Sequence, residues 1–421
     1  GPLVVFMIAM ADSIHLVSVY LQGLHKSLSK FEALRESLRV NIQPVTLATV
    51  TTAMGFLSLN YCASPGIYGF GNVVAMGVVW AFLVTFTLLP ALILLLPVKK
   101  IPEPLGVKGF INFIAKLVAN RGKQLFWGSL LLIAVTFAML PLNKVDFDRF
   151  SFIDKDSDFH TVISALAEKI GNDQSLVYSI NSGKYYGITE PEFLRKIEEF
   201  SIWLEEQPQT SFVTSYTGFL KNRNMAENDN DPAWEVLPVD NLQIIDYLVG
   251  YQLVQEIEPQ LEPIFNSEYS AIRMVVGTSN LSNVQLLDFS EEIEDWIALN
   301  MDPAYDVMHG DNSILYARLN KMISLQLMEG FTLSFLLITA TLLVGLKSVR
   351  YGLLSMIPNL FPATIVFGIW GLLVGELSPY ILMLFSISIG LVVDDSVHVL
   401  SKYIVARREG ESPEAAVQYS L

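Results

Sequence analysis

Seven apolar runs, each long enough to cross a bilayer, constrain this chain more than any other feature. About 20 apolar residues span the hydrocarbon core, and such runs cover 1–20, 41–62, 67–97, 124–142, 327–346, 351–374 and 378–404. Lipid offers the backbone no hydrogen-bond partner, so these runs are predicted helices. Between the fourth and the fifth, residues 143–326 have ordinary soluble composition. They hold 31 of the 42 acids and 12 of the 27 bases, a net charge of −19, and leave 15 bases against 11 acids for the rest. The chain serves two solvents with two compositions.

Orientation follows from where those 15 bases fall, because basic residues collect on the cytoplasmic side of membrane spans. Lys26, Lys30, Arg35 and Arg39 lie between the first two runs; Lys99, Lys100, Lys108, Lys116, Arg121 and Lys123 lie between the third and fourth. Lys347 and Arg350 follow the fifth run, and Lys402, Arg407 and Arg408 close the seventh. The connectors 61–70 and 375–379 carry no base. All the bases outside 143–326 thus share one side, and the acidic segment is expected on the other, periplasmic face of a plasma (inner) membrane. The chain then divides into 1–97 (three spans), a cytoplasmic linker 98–123 with an amphipathic helix at 110–118, a span at 124–142, the outer domain 143–326, three spans within 327–404, and a cytoplasmic helix in 405–421. It begins with Gly1 inside an apolar run, which together with the repeat below leads us to expect a fragment.

Residues 143–326 alternate β-rich runs with amphipathic helices. Strands are predicted at 174–180, 211–216, 269–276 and 304–308, helices at 190–206, near 240–255 and at 281–299, with a polar insertion at 221–231. Two β-α-β units of this kind predict a split βαβ, ferredoxin-like domain. The expected fold class is an α-helical polytopic membrane protein with an inserted α+β domain. An acidic surface argues against nucleic acid as a partner. The sequence has no GxxxxGK[ST], HExxH or CxxC motif, so no nucleotide, zinc or other cofactor is expected and no enzymatic activity. The lone Cys62 allows no internal disulfide.

The most informative feature is an internal repeat. Asp12-Ser13-Ile14-His15-Leu16-Val17-Ser18-Val19-Tyr20 aligns with Asp395-Ser396-Val397-His398-Val399-Leu400-Ser401-Lys402-Tyr403 at an offset of 383 positions, with five of nine identical. The same offset pairs Ala33 with Ala416 and Ser37 with Ser420. An intact protein would then be two parallel repeats, roughly 770 residues, about an axis along the membrane normal. Each matched helix carries an Asp with a His at i+3 on the same face. In the second copy Asp394 precedes Asp395, placing two carboxylates about 100° apart around one helix. Ionisable residues at such depth are costly and usually face a bundle interior or a water path. Burial raises the pKa of an Asp and lowers that of a His, so that either group could exchange protons near neutral pH. Asp12 and Asp395 are therefore the expected proton-binding groups, with Asp394 beside them and His15 and His398 as relay partners; the alternative is that these pairs simply pin helices together. Thr46, Thr49 and Thr52 recur along the second span, a spacing that suits helix packing, and Thr52 is the one that would border a proton path. Pro358 and Pro362 interrupt a helix, as a hinge or as an ordinary kink.

These residues resemble the resistance-nodulation-division superfamily, in its MMPL-type, Patched-related branch of lipid exporters. The resemblance rests on Gly390-Leu391-Val392-Val393-Asp394-Asp395-Ser396-Val397-His398, on Pro44 followed by Thr51-Thr52-Ala53-Met54-Gly55-Phe56, and on Ile357-Pro358-Asn359-Leu360-Phe361-Pro362. It implies twelve spans in two halves, 143–326 as the second porter domain, and proton-driven export through Asp12 and Asp394/Asp395, with the proton gradient as energy source. The implied partners are membrane lipid and a hydrophobic or lipid substrate, with a periplasmic accessory protein or a second copy of the chain in the assembly. Drug-efflux members set a lysine against two aspartates; this chain has Asp-Ser-x-His in both halves, which favours lipid export. Two other functions compete: a sterol-sensing-like lipid sensor that does not transport, and a proton-driven accessory factor for protein translocation.

Overall fold

The structure, a computed structural model, describes residues 1–96, 108–146, 154, 156–170, 174–258, 263–278 and 281–420. Along the chain run α1 (Pro2–His25), α2 (Lys30–Leu57), α3 (Pro65–Leu95) and α4 (Lys108–Met139), then α5 (Asp158–Ile170), β1 (Gln174–Asn181), α6 (Pro191–Glu205), β2 (Thr210–Thr214), α7 (Tyr216–Glu227), α8 (Asn241–Ile257), β3 (Ala271–Thr278), α9 (Asn283–Asn300) and β4 (Asp306–His309). Helices α10 (Asn312–Gly345), α11 (Val349–Leu373), α12 (Pro379–Arg408) and α13 (Pro413–Ser420) complete it. The residues form two compact units, Gly1–Val145 with Lys321–Leu421, and Asp146–Asn320.

Seven helices among the described residues are long and apolar enough to cross a membrane, which makes the chain a membrane protein. Each predicted span is found, and most extend further than their apolar stretch. Helix α2 begins at Lys30 because Ser29 and Glu32 form a capping box: the Ser29 hydroxyl accepts from the Glu32 amide while the Glu32 carboxylate accepts from the Ser29 amide. The polar turns from Lys30 to Arg39 are therefore helical although no lipid requires it. Residues 98–107 of the expected linker, with Pro102 and Pro104, lie outside the described residues. The helix predicted at 110–118 is the first part of α4, which kinks at Arg121 before its apolar part. Beyond that part, the Lys144 amide donates to the Gly375 carbonyl and the Leu377 amide to the Lys144 carbonyl (both 2.8 Å), tying the end of α4 to the loop between α11 and α12.

The second unit is built on an antiparallel four-stranded sheet of order β2-β3-β1-β4. Strand β3 sits between β1 and β2, so the β1–α6–β2 unit is split and β3–α9–β4 closes around it, the ferredoxin-like arrangement expected. Alternation does the sorting: Leu176, Tyr178 and Ile180 of β1 and Ile272, Met274 and Val276 of β3 all point to one face. Against them pack Phe193, Ile197, Phe200 and Leu204 of α6 and Leu286, Phe289 and Ile293 of α9, at the i, i+3/i+4, i+7 spacing of an amphipathic helix. Each such buried side chain contributes about 1.5–3 kcal/mol.

The polar insertion at 221–231 differs from expectation, since residues as far as Glu227 belong to α7. The helix is started by Ser215, whose hydroxyl accepts from the Gly218 amide, and is anchored by a buried Asn224. The Asn224 amide group donates to the Trp234 and Val236 carbonyls (3.1 and 3.0 Å), and its oxygen accepts from Tyr247 (3.3 Å). An otherwise polar segment is thus held by one side chain.

Candidate functional site

Three helices of the membrane unit, α1, α2 and α12, bring the repeated motif together. Helix α1 carries Asp12 and His15, and α12 carries Asp394, Asp395 and His398. The two helices meet through their histidines: the rings of His15 and His398 stack at 4.0 Å between centroids and 14° between planes. Sequence spacing placed each His on its Asp's face; the structure adds that the two copies touch.

The carboxylates are placed unequally. Asp12 is 2% exposed, and its Oδ2 finds no hydrogen-bond donor among the described residues. On α12, Asp394 is largely covered and lies one turn before His398, with Oδ1 3.4 Å from Nε2 but not aligned for a hydrogen bond. Asp395 is exposed. Of the two α12 carboxylates expected at the site, Asp394 is the more covered. Neighbouring residues on a helix point about 100° apart, and here Asp394 takes the inner direction. The repeat alignment matched Asp12 to Asp395 by sequence, but the two positions have different surroundings.

Helix α2 holds α12 close. The Thr52 hydroxyl donates to the Gly390 carbonyl at 2.9 Å, one turn before Asp394. A Cβ on Gly55 would stand 3.0 Å from the Gly390 Cα, so the pair of glycines sets the distance between the helices. Thr52 thus joins two helices at the level of the site, and Thr46 donates back into its own helix at Ile42. Asn41 of the same helix donates to the Ser37 and His15 carbonyls (2.9 and 3.4 Å), and Ser37 to the Leu16 carbonyl at 2.5 Å.

Sequence reading passed over two contributors. Asn359 of α11 is buried and accepts a 2.6 Å hydrogen bond from Ser396, beside Asp395; its own NH₂ has no acceptor among the described residues. It sits between Pro358 and Pro362 in a motif already singled out, and a polar residue in an apolar run was the available signal. Lys402, read from the sequence only as a marker of the cytoplasmic side, lies two turns after Asp395 on the same helix and is partly buried. Its place in a stretch where its counterpart is Val19 was the sign to follow.

An ionised carboxylate taken out of water without a partner costs several kcal/mol, and a buried imidazole without a partner is costly too. Asp12, Asp394, both ring nitrogens of His398 and the stacked His15 form one cluster with unmet hydrogen-bonding capacity. Such a cluster can take up or release a proton, and the cost of each charge state depends on how tightly the helices close around it.

Comparisons with known proteins agree with this architecture. Residues 3–121 match the MMPL family model. A 163-residue stretch is 31% identical to the hopanoid transporter HpnN of Rhodopseudomonas palustris (strain TIE-1), covering 36% of this chain and 18% of that protein. Among solved structures, the hedgehog release protein Disp from the water bear Hypsibius dujardini matches with a TM-score of 0.60 at 13% identity, over 99% of this chain and 56% of Disp. SecDF, a translocon-associated membrane protein from Thermus thermophilus, matches with a TM-score of 0.46 at 15% identity, over 99% of this chain and 46% of that one. The chain thus spans about half the length of the solved structures, and its matched stretch about a fifth of HpnN. The MMPL-type resemblance read from the motifs is borne out, and these matches point to transporters rather than enzymes. Residues 3–121 thus resemble the MMPL family, and the chain as a whole shares its fold with Disp.

Proposed function

We propose that this chain is part of a proton-driven exporter of a lipid or other amphiphile, in a bacterial plasma membrane with 146–320 on the periplasmic side. Asp12 and Asp394 bind the transported protons, His15 and His398 relay them, and Thr52 holds α12 in register. The observation that carries the reading is the His15–His398 stack: two copies of one Asp–His motif meet among membrane spans, with buried polar atoms left unmet. Structural pinning alone would favour satisfied hydrogen bonds there, since a buried unsatisfied polar group costs about 1–3 kcal/mol. The lipid substrate is supported by the HpnN match, whose named cargo is a hopanoid, and the side assignment by the distribution of basic residues. The test is proton uptake into proteoliposomes holding the full-length protein, with and without Asp12→Asn. Loss of uptake in the variant supports the proposal. Equal uptake in both sinks it and favours a lipid sensor.

A further inference from the structure

The sheet unit carries a helix with two apolar faces. On α8, Ile244, Tyr247 and Leu248 are buried in the core of the unit. The other face is uncovered: Leu242, Val249, Leu253 and Ile257 have between 44% and 80% of their surface exposed. With the half-buried Ile245, positions 245, 249, 253 and 257 form one row at i+4 spacing. Such rows are the ridges that one helix sets into the groove of another. From 242 to 257 the apolar face runs for about 22 Å at the helical rise of 1.5 Å per residue. A helix that used only its inner face would carry polar residues here, and a contiguous exposed apolar surface marks a docking site.

Tyrosines extend this face sideways. Gln252, a surface neighbour of Val249 and Glu256 on the helix, accepts a 2.6 Å hydrogen bond from the Tyr269 hydroxyl. The Tyr269 ring stacks on Tyr186 at 4.8 Å and 10°, and Tyr185 meets Tyr186 edge-on at 4.7 Å. Tyr186 and Tyr269 both have positive φ, 57° and 51°. That region is costly for a bulky side chain and persists where the surroundings impose it. Here the Tyr186 amide donates to the Glu268 carbonyl and the Ile188 amide to the Tyr269 carbonyl, both at 3.2 Å. Tyrosines already held in place in the free protein are the anchors that carry binding energy in protein interfaces. Charge narrows the occupant. Residues 237–258 contain Asp240, Asp246, Glu256 and Glu258 and no Lys, Arg or His, and Glu268 adjoins Tyr269. Lys184, beside Tyr185, is paired with Glu190 at 2.9 Å. Anionic lipid headgroups would be repelled, and an isologous contact between two copies would set these carboxylates against each other.

We infer that the outer face of α8 docks a basic amphipathic helix of a partner protein, its apolar residues against the ridge and the tyrosines, and its lysines or arginines against Asp246, Glu256 and Glu258. This binding goes beyond the transport reading and needs no proton gradient; that reading adds only that the partner lies on the periplasmic side.

The experiment uses the full-length protein in nanodiscs of zwitterionic lipid, with no pH gradient, and two photo-crosslinking helical peptides. Both have one leucine face; the remaining positions are lysine in one and glutamate in the other. A lysine peptide without the leucine face controls for plain attraction to an acidic surface. The leucine–lysine peptide should bind and crosslink to α8 and to Tyr185 and Tyr186, and the glutamate peptide should bind at least about tenfold more weakly. Leu253→Asp, at an exposed position, should lower binding of the leucine–lysine peptide about tenfold. Asp246→Lys together with Glu256→Lys should reverse the preference between the two peptides. The inference is overturned if the control peptide binds as well, if crosslinks spread over the sheet unit, or if Leu253→Asp binds like wild type. It is overturned too if Val249→Cys is shielded from maleimide before any peptide is added, which assigns the face to another part of the same protein. A disulfide-linked dimer of Val249→Cys would likewise overturn it and assign the face to a second copy.

Discussion

At the scale of single residues, one position along α12 separates a covered carboxylate from an exposed one. Asp394 and Asp395 are adjacent, and nothing in a single sequence says which points inward, because that depends on where α1 and α2 cross α12. The repeat matched Asp12 with Asp395 by letter, while packing covers Asp394 and leaves Asp395 exposed. The Asp–His spacing itself was fully legible, since i and i+3 share a helix face whatever the packing. The contact between His15 and His398 was not, because it joins helices 383 positions apart. That contact predicts coupling. His15→Ala and His398→Ala should each lower proton uptake, and the double variant should lower it little more than either alone. Separate, multiplying losses would mean that the stack is incidental, since residues acting as one unit are strongly non-additive.

At the scale of elements, hydrophobic length located all seven spans, and alternation located the four strands to within a few residues. The ends were missed where polar local chemistry takes over. The capping box at Ser29 extends α2 through a charged stretch, and Asn224 organises α7 where composition suggested a loose insertion. Helix α5 went unread as well. The close crossing of α2 and α12 rests on Gly55 and Gly390. Gly55→Val should push the helices apart, strain the Thr52–Gly390 hydrogen bond and cost about 1–3 kcal/mol as overpacking does. Thermal unfolding in detergent checks this against Gly66→Ala, where an added Cβ meets nothing within 4 Å. An unchanged melting temperature for Gly55→Val would remove the crossing from the account. In the sheet unit, burial pushes the phenols of Tyr178 and Tyr216 above the usual tyrosine range. A raised folded pKa means their contribution to stability is complete below the unfolded value, about 10, and is lost as the pH rises above it. Alkaline titration at 295 nm should show two tyrosines ionising only as the unit unfolds. Smooth titration of all 16 without unfolding would contradict that burial.

At the scale of the whole molecule, two compositions resolve into two units: a helical membrane unit and an acidic sheet unit of ferredoxin-like order. The family resemblance was legible because its motifs fall in a fixed order along the chain, and the match over 3–121 bears it out. Proton coupling and lipid cargo are separate proposals, and each can fail without the other.

The central claim is that protons pass through the inward carboxylates of the Asp–His cluster. Its most direct test is proton flux in proteoliposomes of the full-length protein, read by an internal pH dye, for wild type, Asp394→Asn and Asp395→Asn. The account predicts at least a tenfold loss in Asp394→Asn and a clearly smaller one in Asp395→Asn. Full flux in Asp394→Asn would contradict it, and a greater loss in Asp395→Asn would return the role to the outward carboxylate.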